Sequence, residues 1–258
     1  MKHLKSSLKD LREIFERSII IREISEPLSS FDVNSSVDNV RRFMSTKDYD
    51  VIGVREDGLI CGYARKSELS EGKIGDYLIH FGENEKFPET TSLIKVLKLF
   101  RDLDRIFVIF LGQVGGIVTR GDLQKAPVRM WLFGLISLIE MQLLRIIRES
   151  YPGEEWKDLI NHHRLSNTNK ILSERQSNNT AIDLADCLQF CDKRDIVLKS
   201  NEIREKLGFN NKSEIFLKGL EELRNNLCHA QDIITGNWPN IIDLAIEAEN
   251  FLHKCEEF

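Results

Sequence analysis

Leu223-Arg224-Asn225-Asn226-Leu227-Cys228-His229-Ala230 places an arginine, an amide pair and a histidine within six residues of one another. Arginine is a permanent planar cation and histidine titrates near neutrality, so the two types together suit acid–base work on an anionic centre. On a regular helix, positions 224 and 229 lie about 140° apart around the axis. One helix therefore converges them poorly, and a second copy of the chain that brings both to one cleft would solve this. Asn225 stands one turn before His229 and is placed to orient the imidazole or contact a substrate. Glu140, a carboxylate among Leu138, Ile139 and Met141, either partners Arg224 or lies on the narrow polar edge of its own helix. In the competing reading, Arg224 pairs with Glu140 or Glu221 and His229 only caps a helix C-terminus.

These residues close a helical segment. Asn211-Lys212-Ser213-Glu214 has the form of a capping box, and Phe216, Leu220, Leu223, Leu227 and Ala230 follow at helical spacing as a core seam. Upstream, Pro127 favours a helix start just beyond it. Val128 to about Glu149 is apolar around most of its circumference, which predicts burial on several sides and suits an oligomer interface. Its most apolar run, Met130 to Ile139, is ten residues long, against roughly 20 needed to cross a bilayer; the expectation is a buried helix and no membrane span. Ala181 to Cys191, Ser200 to Leu207 with Gly208 as its stop, and Ile241 to Phe251 read as further helices. Residues 164 to 180 are polar and read as a loop or weak helix, and His162-His163 as solvated surface.

A length of 258 residues favours two domains. With 41% hydrophobic and 30% charged residues, the composition excludes collagen-like and wholly disordered chains. A formal net charge of −5 gives no general attraction to nucleic acid, so any RNA contact must be local. The five cysteines are odd in number and lack a framework spacing; Cys187 and Cys191, one turn apart, read as packing residues and not as zinc ligands. A reducing compartment, the cytoplasm, is expected, with no signal peptide and no metal site.

The first half is an internal duplication. A shift of 54 residues aligns Asp50 with Asp104, Val54 with Val108, Gly58 with Gly112, Gly62 with Gly116 and Leu69 with Leu123 without a gap. In each copy a helix (Ser36–Met44; Leu93–Leu103) precedes two short strands around a turn, then a further helix. Residues 4 to 15 predict a docking helix and the β-branched stretch Ser18–Ile24 an edge strand. The run Gly116-Ile117-Val118-Thr119-Arg120-Gly121-Asp122-Leu123 resembles the strand-to-helix signature of CBS (cystathionine beta-synthase) domains, and residues 20 to 127 resemble a tandem pair. The resemblance implies that Thr119 and Asp122 hold the phosphate and ribose of an adenine nucleotide (AMP, ADP or ATP), with Arg120 and Arg65 adding phosphate contacts. A hydroxyl and free backbone N–H groups at a helix start suit an anion, and a carboxylate can accept ribose hydroxyl protons. The first copy departs from the signature, with Arg65 and Glu68 where Thr and Asp are expected.

Arg224-Asn225, four residues and His229 resemble the ribonuclease motif of HEPN (higher eukaryotes and prokaryotes nucleotide-binding) domains, and the helical pattern of 128–258 is similar to that fold. The expected fold class is α+β: a CBS pair with two small sheets and flanking helices over 1–127, followed by an all-α HEPN bundle over 128–258. The resemblance implies metal-independent endoribonuclease activity without a catalytic cofactor: His229 moves the 2′-hydroxyl or leaving-group proton, and Arg224 stabilises the phosphorane in a homodimer cleft. It also implies RNA as substrate, the nucleotide as regulator and a role as toxin or defence effector. The alternative is a non-catalytic nucleotide sensor or scaffold whose helical half binds protein or RNA.

Overall fold

The computed structural model describes residues 7–178, 182–229 and 238–258; Leu4, Ala181 and Ala230 of the expected helices lie outside the described residues. The chain divides into two compact units, Phe15–Val128 and a second formed by Met1–Ile14 with Arg129–Phe258. In chain order the elements are α1 (Leu8–Ser18), β1 (Glu26–Pro27), β2 (Ser30–Asp32), α2 (Val37–Lys47), β3 (Val51–Glu56), β4 (Leu59–Arg65), β5 (Ile79–His80), β6 (Lys86–Pro88), α3 (Leu93–Leu97), β7 (Arg105–Phe110) and β8 (Gln113–Thr119). They are followed by α4 (Ala126–Ser150), α5 (His162–Ser177), α6 (Phe190–Lys199), α7 (Asn201–Leu207), α8 (Ser213–Cys228) and α9 (Trp238–Glu257).

Phe15–Val128 holds two four-stranded sheets, ordered β2-β3-β4-β5 and β1-β8-β7-β6. The duplication is written in their hydrogen-bond register. Val51 faces Arg65 as Arg105 faces Thr119, and both hairpins slip register at the equivalent place, Val54/Arg55 and Val108/Ile109. Both tips carry two residues at positive φ, Asp57 (49°) with Gly58 (80°) and Leu111 (47°) with Gly112 (83°), as a tight hairpin requires. Before the hairpins the copies lie further apart in sequence: α2 starts at Val37 and α3 at Leu93, 56 residues later. The second copy shortens here, and α3 runs into a 3-10 turn at Lys98–Arg101.

Two expected elements differ. The stretch Ser18–Ile24 is not an edge strand but the end of α1 and a 3-10 turn, Ile21–Glu23. Ile21 and Ile24 stand three apart and are both fully buried, which a turn of helix permits and alternating strand faces do not. The edge is taken instead by β1, antiparallel to β8. The element after each hairpin is a 3-10 turn, Lys66–Glu68 and Arg120–Gln124. The sheets meet around Leu28, Tyr63 and Phe107; the Phe81 ring stacks on Tyr63 at 5.8 Å and meets Phe107 edge-on at 4.5 Å.

In the second unit every regular element among the described residues is helical. The 25-residue α4 has the length and composition of a membrane-crossing helix, but Trp131, Leu132, Leu135, Ile136, Ile139, Leu143, Ile146 and Ile147 are buried. On another face Met130, Phe133 and Met141 are exposed. The predicted seam of α8 is core, with Phe216, Leu220, Leu223 and Leu227 buried, and α8 packs on α6 and α9. The N-terminal helix, expected to go with the first half, instead puts residues up to Ile14 in this second unit. Arg12 pairs with buried Glu249 at 2.6 Å, the Leu8 N–H donates to Glu256 at 2.8 Å, and Leu11 fits against Gly134, where a Cβ would lie 2.9 Å from its side chain.

Of the two alternatives, loop or weak helix, the structure has the helix: residues 162–177 form α5. The Asn161 side chain caps it by accepting the Arg164 N–H, and Arg164 is tied to buried Asp192 on α6 at 2.7 Å. The helix expected at 181–191 is displaced: Ala185–Cys187 is a 3-10 turn, and α6 starts at Phe190 and runs to Lys199.

Candidate functional site

The Phe15–Val128 unit contains a cavity of about 900 Å³ built from both copies of the repeat. From the first copy come Lys47-Asp48-Tyr49-Asp50-Val51, the connection between α2 and β3. The second gives Asp104, Arg105, Ile117 and Thr119–Asp122, and Glu26–Ser29 completes the wall. Its surface is mixed: Leu28, Val51, Ile117 and Tyr49 offer apolar area, while Lys47, Arg105 and Arg120 are interleaved with five carboxylates. Volume and character are those of a small-molecule site.

Thr119, Arg120 and Asp122 are on its wall. Asp122 is 8% exposed. Its Oδ2 accepts the Thr119 N–H at 2.7 Å and the Thr119 hydroxyl at 2.9 Å, and its Oδ1 meets Lys125 Nζ at 2.9 Å. Two donors on Oδ2 fill its lone pairs, whereas Oδ1 keeps one for a further donor. Lys125 also contacts Glu26 and donates to the Ile24 carbonyl at 2.7 Å. Burial pulls the Lys125 ammonium down, yet the hydrogen bonds it donates to Glu26 and Asp122 outweigh this and hold its pKa above the ordinary lysine value. Arg120 pairs with Asp104 at 3.1 Å, and its buried Nε–H has no acceptor. The site thus presents one free carboxylate lone pair, a hydroxyl able to change partner and an unused guanidinium donor.

Arg65 is not on this wall. It occupies the repeat position of Thr119, where it ion-pairs with Glu68 at 3.2 Å and lies 6.0 Å from the Tyr63 ring centroid. The Thr–Asp clasp of the second copy is replaced by an Arg–Glu pair, so this residue does not join the others. Glu26, Lys47, Tyr49, Asp50, Asp104 and Arg105 were not singled out from sequence. The signal available was the alignment of Asp50 with Asp104 under the 54-residue shift, since both line the cavity.

In the helical unit, Arg224 lies just before the last turn of α8 and His229 is its C-cap residue, exposed, with φ −94° and ψ 12°. The His229 backbone N–H donates to the Asn225 carbonyl at 3.1 Å. Asn225 Oδ1 accepts from Arg224 at 3.4 Å, so its side chain addresses the arginine and not the imidazole. Among the described residues no side chain bonds to the His229 imidazole and no carboxylate pairs with Arg224. Both proposed carboxylate partners are engaged elsewhere. Glu140 pairs with buried Lys193 of α6 at 2.8 Å, and Glu221 pairs with Arg194. Glu140 is thereby removed from the candidate catalytic set: a buried ammonium needs its counter-charge. Arg129, which sequence reasoning passed over, donates to the Asn226 and Leu227 carbonyls at 3.2 and 2.9 Å, at the C-terminal end of α8.

No protein-family model matches the chain, and no curated protein matches it. Solved structures are similar to its N-terminal part. CBSX2 in complex with AMP is 18% identical with a TM-score of 0.38, covering 43% of this chain and 97% of that one. The CBS domain of the bacterial CNNM/CorC family Mg²⁺ transporter in complex with ATP is 16% identical with a TM-score of 0.37, covering 46% and 92%. A hemolysin-like protein containing a CBS domain from Oenococcus oeni PSU is 16% identical with a TM-score of 0.35, covering 46% and 96%. These neighbours are CBS-domain proteins.

Proposed function

We propose that the chain senses an adenine nucleotide in the cavity of its first unit and uses it to control the helical unit. The observation that carries this reading is the Thr119–Asp122 clasp on the wall of a cavity assembled from both repeats. A purine would rest on the apolar part of the wall, with Tyr49 at its side. A ribose hydroxyl would take the remaining lone pair of Asp122 Oδ1. A phosphate would draw the Thr119 hydroxyl away from Asp122 and meet the guanidinium of Arg120. Isothermal calorimetry with AMP, ADP and ATP tests the reading. One site per chain, weakened by Asp122→Ala, is expected; absence of binding, or binding untouched by that change, removes it.

For the output of the helical unit, metal-independent RNA cleavage is favoured over a passive scaffold by one observation: among the described residues Arg224 has no carboxylate partner and the His229 imidazole no side-chain partner, while Glu140 and Glu221 pair with Lys193 and Arg194. An imidazole able to gain and lose a proton and a guanidinium able to hold a phosphorane are what attack by a 2′-hydroxyl needs. The product would end in a cyclic phosphate, and DNA would resist. This part rests on the Arg224-to-His229 pattern, not on the structural likenesses. The two groups would be drawn from two copies of the chain, with the exposed Met130, Phe133 and Met141 of α4 as an apolar surface for pairing. Incubation with RNA in EDTA decides between the outputs: loss of cleavage in Arg224→Ala and His229→Ala supports the enzyme, and no cleavage by the unmodified chain leaves the scaffold.

A further inference from the structure

Arg129 ties the start of α4 to the end of α8. Asp122, on the cavity wall, ion-pairs with Lys125, and Lys125 is the residue immediately before α4. One turn into α4, Arg129 donates to two carbonyls, Asn226 O and Leu227 O, in the last turn of α8. His229 follows directly as the C-cap of that helix and hangs on its final backbone bond to Asn225. Every link is covalent or an explicit polar contact, and the stretch from Asp122 to Arg129 spans eight residues. A guanidinium on the last carbonyls satisfies acceptors that a helix leaves open and fixes where the chain leaves it.

We propose that Arg129 is a positioning residue: it fixes the end of α8, and with it His229, to the start of α4, so that occupancy of the cavity is communicated to His229 through residues 122–129. This rests on the nucleotide-sensing and cleavage reading given above. A ligand that takes the free lone pair of Asp122 and the Thr119 hydroxyl changes the balance of bonds holding Lys125. Lys125 immediately precedes α4, so a shift there reaches Arg129 through the backbone of the first turn of that helix. A ligand acts at a distance only through an element that differs between bound and free states, and the start of α4 is that element.

The test uses the full chain with AMP as probe. Histidine-selective ¹³C labelling, with the His229 resonance assigned by its loss in His229→Ala, reports on the imidazole independently of any cleavage. Saturation with AMP is expected to shift this resonance in the unmodified chain and leave it in place in Arg129→Gln, while calorimetry gives AMP affinities within about twofold of each other. Arg129→Lys, which keeps a cationic donor, restores at least part of the shift. In the RNA assay, Arg129→Gln lowers kcat by about 10- to 100-fold, as misplacement of a catalytic group does, with KM unchanged and the ratio of rates with and without AMP reduced to about one. If AMP binds and the His229 shift persists in Arg129→Gln, the proposal is overturned while the sensing reading stands. If AMP does not bind, the sensing reading fails and the proposal with it.

Discussion

Replacing Glu140 by leucine tests whether that carboxylate is structural, as its pairing indicates, or catalytic, as its sequence position allowed. Lys193 is 6% exposed and Glu140 24%, and they meet at 2.8 Å between α6 and α4. Removing one partner of a buried pair leaves an uncompensated charge and costs about 3–5 kcal/mol. Glu140 is partly wetted, so the lower end applies, about 3 kcal/mol. For a unit of roughly 140 residues the unfolding entropy is near 0.3 kcal/mol per degree, and Tm should fall by about 10 °C. Replacing both, Glu140→Leu with Lys193→Met, removes the orphaned ammonium and should return Tm to within about 3 °C of the parent. Differential scanning calorimetry of the parent, both single variants and the double variant reads the whole cycle. A Glu140→Leu shift below about 3 °C, or a double variant no better than the worse single one, refutes the buried-pair argument. Retained RNA cleavage in the stabilised double variant is the matching expectation for catalysis.

Three further outcomes follow from particular residues. Leu111 is 98% exposed at a hairpin tip with φ 47°, a conformation that asparagine tolerates better. Leu111→Asn should therefore raise stability by about 0.5–1 kcal/mol in urea unfolding. Cys228 is exposed, whereas Cys255 is buried with its thiol pushed up to about 12 by burial; mass spectrometry after brief alkylation of the native chain should find Cys228 modified and Cys255 intact, with bound RNA protecting Cys228 if RNA lies against the end of α8. Burial raises the Asp183 carboxyl, but the hydrogen bonds from Arg148 and the Asp186 N–H outweigh it and hold its pKa below the ordinary 3.8. A lowered pKa contributes stability that is full above 3.8 and fades as pH falls through the folded value. The Tm advantage of the parent over Asp183→Asn should accordingly be present at about pH 6 and vanish in acid.

The repeat was legible because hairpins leave strong marks: glycine at the second turn position and a short apolar strand on either side. The register and turn angles of Asp57-Gly58 and Leu111-Gly112 follow the same 54-residue shift. The part of the cavity wall given by Glu26–Ser29 was not legible. It is built on β1, a two-residue strand laid against β8, and two residues carry no periodicity. Glu140 was misread for a related reason: its partner lies 53 positions away on α6, and no local pattern announces a long-range ion pair. The sequence of α5 leaves loop and weak helix both open because it is polar; the Asn161 cap and the tie from Arg164 to Asp192 hold the helix, a tertiary effect that propensity does not contain. Arg224 and His229 were legible as types and spacing, but Arg129 at the end of their helix belongs to a helix almost a hundred residues earlier.

The most direct test of the central claim is calorimetric titration of the full chain with AMP, run in parallel on Asp122→Ala. The account predicts one site per chain for the parent. Loss of a charge-assisted hydrogen bond worth about 1.5–3 kcal/mol should weaken binding in Asp122→Ala by about 10- to 100-fold. Absence of heat with the parent chain, or equal affinities for both proteins, contradicts it.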